Sequence, residues 1–281
     1  MDVIKVEETE KDAIIAENGD LELYNTLLSL AEQAQNNNVY HQIAGEDEKV
    51  VRNPQVEPYL NVDEFIDYML INQYVGNTDW DYHNWYAIRK RGGDGFHFVC
   101  WDSEEIMGDV QDNVTSNDYE GCPSRIFQGL MKNDIFKQKY QARARQMLED
   151  GGLLSERKVV AVWDSLYHVI ENAVYAEAAR WGDYRNKVHS YRVELPVFSV
   201  EETYMTERNR MLTEYFPNRS NIVIGQLREK GWYHETNNIK SVRANATEGV
   251  TYNLSGSPVN ANHIKRGDIV IKDGRKFVMK K

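Results

Sequence analysis

Between Ile71 and Arg91 the chain reads INQYVGNTDWDYHNWYAIRKR, with Asp79 and Asn84 five residues apart; Asp102 follows in the stretch CWDSE. An aspartate, an asparagine close behind it and a second aspartate further on can together move a phosphoryl group. One carboxylate must reach an attacking hydroxyl and orient it or accept its proton. The asparagine oxygen and the second carboxylate are both hard ligands suited to Mg²⁺ on nucleotide phosphates. The spacing alone is weak, because D-x-x-x-x-N arises by chance in most chains. The bland readings are a turn cap for Asp79, a turn residue bonded to its own backbone for Asn84, and a strand-end cap for Asp102. His83 reads as a hydrogen-bonded loop histidine, and Asp81 as solvent-facing or substrate-contacting. Trp80, Trp85 and Trp101 flank the loop. Rings in that position are more often core that stiffens a polar loop. With the carboxylates they also admit a glycosidase, which needs two carboxyl groups roughly 5–10 Å apart across an open cleft. Glu104 and Glu105 read as a surface pair.

The elements that must position these residues can be traced from patterning. Asp2 to Val6 is strand-like and the sequence then turns acidic, while Asp20 to Gln35 has helical apolar spacing. Residues 36–58, rich in Asn and charge with Pro54 and Pro58, read as a loop. Asn61 with Glu64 makes a capping box for a helix whose face is Val62, Phe65, Ile66, Met69 and Leu70, ending near Gly76. Residues 84–91 and 96–101 alternate as strands around the turn GGDG, so the polar stretch lies between a helix and a β-hairpin. Downstream the chain is mostly helical. Two runs between Ser124 and Asp150 break at Asn133-Asp134. A long helix from Ser155 through Tyr175 is expected to turn Val159, Val162, Trp163, Leu166, Val169, Ile170 and Ala173 inward. A helix capped by Ser199 and Glu202 is expected to end at Phe216-Pro217, and a last one to run from Asn218 to Gly231. The basic ARARQ at 142–146 reads as a solvated face, and Arg180 as packing at a helix end. Residues 236–249 read as a linker, and 250–281 as a small β unit of short strands.

The chain has 281 residues and a net charge of −11, which argues against a nucleic-acid partner and would suit a basic one. No apolar run is long enough to span a membrane, and the sequence from Met1 lacks the pattern of a signal peptide. The two cysteines, Cys100 and Cys122, leave a disulfide open as an alternative to buried thiols.

Protein kinases carry a catalytic-loop D-x-x-x-x-N followed by a later metal-binding aspartate. More specifically, FIDYMLINQYVGNTDWDYHNWY, then FVCWDSE, GGLL and YAEAARWGD, resemble the CotH kinase family, the spore-coat-protein-H-like atypical protein kinases, over roughly residues 1–235. The resemblance implies an α+β fold, a mostly helical protein-kinase-like C-terminal lobe with a catalytic-loop β-hairpin, over residues 1–235. It implies transfer of phosphate from ATP, with Mg²⁺, to serines of a partner protein. By position Asp79 is similar to the catalytic aspartate, Asn84 to the metal-binding asparagine and Asp102 to the metal-binding aspartate of D-F-G. Asn77-Thr78 stand where ordinary kinases have His-Arg, and Ser103-Glu104 where they have Phe-Gly, as in other CotH-type proteins. No Gly-rich phosphate loop or phosphate-pairing lysine precedes Asp20, and MDVIKV resembles the hinge that follows an N-terminal lobe, so the chain is expected to lack that lobe. The tail resembles C-terminal β tails of secreted or surface proteins of Bacteroidetes-type bacteria, some of them sorting signals, which implies an extracytoplasmic or cell-surface location. A non-catalytic surface module that keeps the fold and only binds a partner is the alternative function.

Overall fold

A computed structural model describes residues 1–7, 13–188, 197–234, 251–252, 258–259, 269–272 and 275–278. The chain divides into two compact units, Met1–His234 and Glu235–Lys281. The first is mixed α and β. Its strands β1 (Asp2–Glu7), β2 (Ala13–Asn18), β3 (Trp85–Arg89) and β4 (Phe96–Cys100) form an antiparallel sheet in the order β2-β1-β3-β4. The expectation of a single strand before Asp20 is therefore too short. Residues Ala13–Asn18 return along β1, with Lys5 opposite Ile15 and Ile4 opposite Ala87 on the other side. β3 and β4 pair from Trp85–Cys100 to Arg89–Phe96. At the turn between them Gly95 has φ +98°, and a Cβ there would lie 2.6 Å from the backbone of Leu60, so only glycine allows the approach.

Helix α1 (Glu22–Glu32) precedes α2 (Asn37–Ala44), which falls in the segment expected to be a loop. The asparagine run suggested irregular backbone. In fact Asn36 accepts a bond from the Asn38 N–H, and Gly45 closes the helix in the left-handed region. Helix α3 (Val62–Val75) is capped as its sequence suggests, with Asn61 accepting from the Glu64 N–H at 3.2 Å and Gly76 at its end. The core around it is aromatic: Phe65 lies 5.0 Å from Phe98, Tyr24 stacks on Trp85, and Trp80 donates its indole N–H to Tyr68.

Helices α4 (Pro123–Leu130) and α5 (Asp134–Leu148) are separated by Asn133, which caps α5 by accepting from the N–H groups of Ile135 and Phe136. The ARARQ stretch is a packed seam rather than a solvated face. Ala144 is fully buried, Arg143 makes a two-pronged pair with Asp67 of α3 at 2.6 and 2.7 Å, and Arg145 donates to the carbonyl of His234.

Helix α6 (Glu156–Trp181) runs past the expected end at Tyr175, and a short α7 (Tyr184–Val188) follows. The expected inner face of α6 is corrected. Val162, Leu166, Val169 and Ile170 are exposed, Val169 by 79%. Val159 and Trp163 of that face do pack, and the packed arc continues to one side of them, with Trp163 on Phe216, Tyr167 stacked on Tyr204 and Asp164 paired with Arg208. Apolar spacing defines a face but not what covers it. Arg180 lies over its neighbour Trp181, with no salt bridge among the described residues.

Ser199 caps the next helical run by accepting from the Glu202 N–H. That run opens with a wide π turn (Val200–Tyr204), continues through α8 (Met205–Arg210) and a second π turn (Met211–Tyr215), and leads into α9 (Phe216–Glu229). Pro217 begins α9 rather than ending the helix before it, as proline in a first turn can.

The second unit has β5 (Thr251–Tyr252), β6 (Pro258–Val259), β7 (Ile269–Lys272) and β8 (Arg275–Val278) in an antiparallel sheet ordered β6-β5-β7-β8. The expected linker at 236–249 lies outside the described residues.

Candidate functional site

The stretch from Asn77 to Asn84 leaves the C-terminal end of α3 and enters β3. Its position is set first by α3. Arg219 of α9 is fully buried and donates to the carbonyls of Gln73 and Tyr74 at 2.6 and 2.5 Å, and to that of Val110 at 2.6 Å. A cation on the last carbonyls of a helix satisfies groups that have no partner within the helix and complements its dipole. The Asn77 N–H and side chain bond back to Asn72, and the Thr78 N–H donates to Glu105.

Within the loop Asp79 gathers three donors. Its Oδ1 accepts from the Tyr82 hydroxyl at 2.9 Å and from His83 Nε2 at 2.8 Å. Its Oδ2 accepts from Asn84 Nδ2 at 3.0 Å, and the same nitrogen donates to the Asp79 backbone carbonyl at 3.0 Å. A carboxylate offers about four acceptor positions, so one remains, and the Asp79 side chain is 29% exposed. With its nitrogen turned to Asp79, Asn84 keeps its Oδ1 as an acceptor, and no donor to that oxygen occurs among the described residues.

Asp102 approaches from the other strand. Trp85 and Cys100 are paired, and beyond them the Trp101 N–H donates to the Asn84 carbonyl at 3.2 Å. Asp102 is the next residue and is exposed. Asp81, Asn84 and Asp102 all have positive φ, at 120°, 62° and 45°. Asn and Asp enter the left-handed region more readily than other side chains, so Asn84 and Asp102 sit there at little cost, while Asp81 at 120° is strained. A cleft of about 240 Å³ lined by Lys5, Val6, Glu7, Asn84, Trp85, Tyr86 and Trp101 opens beside this corner. It is smaller than the roughly 300–1,000 Å³ of a whole small-molecule site.

Asp81 is neither solvent-facing nor substrate-contacting. It is fully buried, its Oδ1 accepts from the Ser124 N–H at 2.9 Å, and its backbone carbonyl accepts from the Trp85 indole at 2.8 Å. Burial pushes its carboxyl up to about 7, against the hydrogen bonds from Ser124 that pull it down. Its full burial removes it as one of a glycosidase's two carboxyls. Trp80 and Trp85 are buried core, but Trp101 is 57% exposed and meets Tyr86 edge to face. Both cysteines are free thiols, and burial raises Cys100 above the usual thiol range.

The donor types that Mg²⁺ takes are present in the chain. Asn84 Oδ1 and the Asp102 carboxylate are hard oxygen donors on adjoining backbone. No group of three or more His, Cys, Asp or Glu side chains able to hold a metal occurs among the described residues. Mg²⁺ commonly takes only one or two protein carboxylates and keeps waters and substrate phosphates for the rest. No described helix is long and apolar enough to cross a membrane.

His83 is the hydrogen-bonded loop histidine that the sequence suggests, whereas the roles of Tyr82 and Asp81 were not legible in it. His83 stands four residues after Asp79, close enough for one turn of loop to join them, and that spacing was the available signal. Nothing local marks Asp81, because its partner lies 43 residues away. The sequence model of the family described as CotH kinase protein matches residues 4–223. No curated protein and no solved structure matches the chain.

Proposed function

Because the chain belongs to the CotH kinase family, we propose that it transfers the γ-phosphate of Mg-ATP to a serine hydroxyl of a partner protein, with Asp79 at the hydroxyl and Asn84 and Asp102 at the metal. The observation that carries this reading is the double use of Asn84. Its amide nitrogen is fastened to Asp79 and its backbone carbonyl to Trp101, so Asp79 bonds Asn84 directly and Asp102 follows one residue after the backbone partner of Asn84. Bound Mg²⁺ supplies charge neutralisation for the transferred phosphoryl group, worth several kcal/mol in such reactions. The chain's own part is positioning. Tyr82 and His83 hold the Asp79 carboxylate from one side and Asn84 from the other, so its remaining lone pair has a fixed direction in which to receive a serine O–H. Orientation of this kind is a large part of catalysis where little covalent chemistry falls to the protein. The acidic balance of the chain favours an acceptor with basic surroundings.

The test is phosphate incorporation from labelled ATP into a serine-containing acceptor. Asp79→Ala is expected to lower turnover by about 10²–10⁴-fold, the range for losing a positioned acid–base group. Asp102→Ala is expected to be at least as damaging, and a chelator of divalent cations to abolish transfer. Equal incorporation by the wild type and both variants would refute the assignment.

A further inference from the structure

We infer that Asp81 is a positioning residue, a side-chain clamp that fastens the 79–84 loop to the first turn of α4 and thereby fixes where Asp79 and Asn84 point. Its consequence for turnover rests on the phosphoryl-transfer reading above, whereas the clamp itself does not. Helix α4 opens with Pro123, which has no N–H, and its N-cap residue Cys122 makes no side-chain cap bond. The first N–H the helix offers is therefore that of Ser124, and the acceptor it finds is Asp81, from 43 residues upstream. Asp81 thus does the work of an N-cap for a helix to which it does not belong. The same residue uses its backbone carbonyl to hold the Trp85 indole at the start of β3, so the loop is pinned on both sides of His83. The segment before α4 is drawn into this fastening. The Tyr119 N–H donates to Ser124 Oγ at 2.9 Å, and Asn117 Nδ2 donates to the Trp80 carbonyl at 3.4 Å.

Two features separate a clamp from ordinary core packing. Asp81 holds φ +120°, a conformation costly for any side chain, so the surrounding contacts must over-determine it. Its Oδ2 is buried and has no partner among the described residues. Leaving that oxygen unmet costs less in a neutral acid than in a carboxylate. Burial, with Asp118 adding repulsion, shifts Asp81 toward the neutral form. The clamp therefore needs an acceptor at Oδ1 and not a charge, so an amide can replace it.

Two variants of the full chain test this. Asp81→Asn keeps the acceptor, while Asp81→Gly deletes the side chain and suits the positive φ, so a loss in the latter is not backbone strain. Hydrogen exchange is expected to rise at least about 10-fold in both 79–85 and 117–124 in Asp81→Gly, with α1 unchanged and Asp81→Asn like wild type. With Mg-ATP and dephosphorylated casein as the acceptor probe, kcat is expected to fall about 100-fold in Asp81→Gly. KM for ATP should stay within roughly threefold and Asp81→Asn should recover kcat, a split that loss of stability alone would not produce. Unchanged exchange in Asp81→Gly overturns the inference, and so does an undiminished kcat or failure of Asp81→Asn to recover. If the wild type transfers no phosphate, the functional reading fails, and the exchange result alone decides the clamp.

Discussion

Asp79 and Asp81 stand two residues apart and carry the same group, yet water reaches one and not the other. Asp79 has three donors around it and keeps part of its surface exposed, whereas Asp81 is sealed beneath α4 with one oxygen unmet. The difference has a pH signature. The folded chain holds the Asp81 proton up to about pH 7, while the unfolded chain gives it up near the ordinary aspartate value of about 4. Across that interval the folded state binds the extra proton, so stability is expected to fall as pH rises from about 4 toward 7 and to level off above. Asp81→Asn should flatten this part of the profile, which thermal unfolding across pH would show. An unchanged slope in the variant would mean that Asp81 is not the group responsible. The contrast also shows what spacing can carry. Asp79, His83 and Asn84 meet within five residues, so local order puts them in reach of one another. Asp81 meets Ser124 across a hairpin and a long connection, and no local pattern encodes that meeting.

Two contacts between elements hold the corner in place, and each has its own measurement. Arg219 joins α9 to the last turn of α3, and burial lowers its pKa although it stays a cation. Replacing it with Met would remove three bonds made by a cation and leave the Gln73 carbonyl without its side-chain donor, while the Tyr74 carbonyl keeps the Tyr215 hydroxyl. The loss is expected to exceed about 3 kcal/mol, since bonds to charged groups contribute roughly 1.5–3 kcal/mol each, and chemical denaturation measures it. His97 of β4 joins Glu64 at the start of α3 to Asp94 in the hairpin turn, at 2.6 and 2.9 Å. Burial pulls its pKa down, but the two carboxylates outweigh this and hold it raised. Its contribution is thus fully present below about pH 6.5 and lost as pH rises through the raised value. His97→Gln should remove that loss, and a variant that still shows it would assign the effect elsewhere. At this scale α3, its two caps and the hairpin were legible because caps and turns are local chemistry. Helix α2 was not, because Asn36 serves a cap as readily as a loop and only the fold chooses.

The whole chain sets apart what the family pattern covers from what the first unit needs. The family match ends at residue 223, inside α9, while the compact unit continues to His234. The difference is filled by buried aromatic side chains. Trp232 lies edge to face on Phe127 at 5.2 Å and near Tyr140 at 6.3 Å, while Tyr233 donates its hydroxyl to Glu149 and sits beneath the guanidinium of Arg145. In the sequence GWYHE stands on the near side of the linker at 236–249, but nothing local says which helices its rings pack on. On α6 the reverse holds, since the exposed Val162, Leu166 and Val169 form the pattern of a buried face. Burial thus follows which surfaces meet, not how apolar a stretch is. A chain ending at His234 keeps Trp232 and Tyr233 on α4 and α5 and is the reference. A chain ending at Gly231 loses Trp232 and Tyr233 and opens a cavity against α4 and α5. Deleting one buried large aromatic side chain costs about 3–5 kcal/mol, which in a unit of this size is roughly 6–15 °C. Calorimetry on the two truncations compares them directly. Equal Tm values would mean that the unit closes before residue 232 and that the aromatic seam on α5 contributes nothing to it.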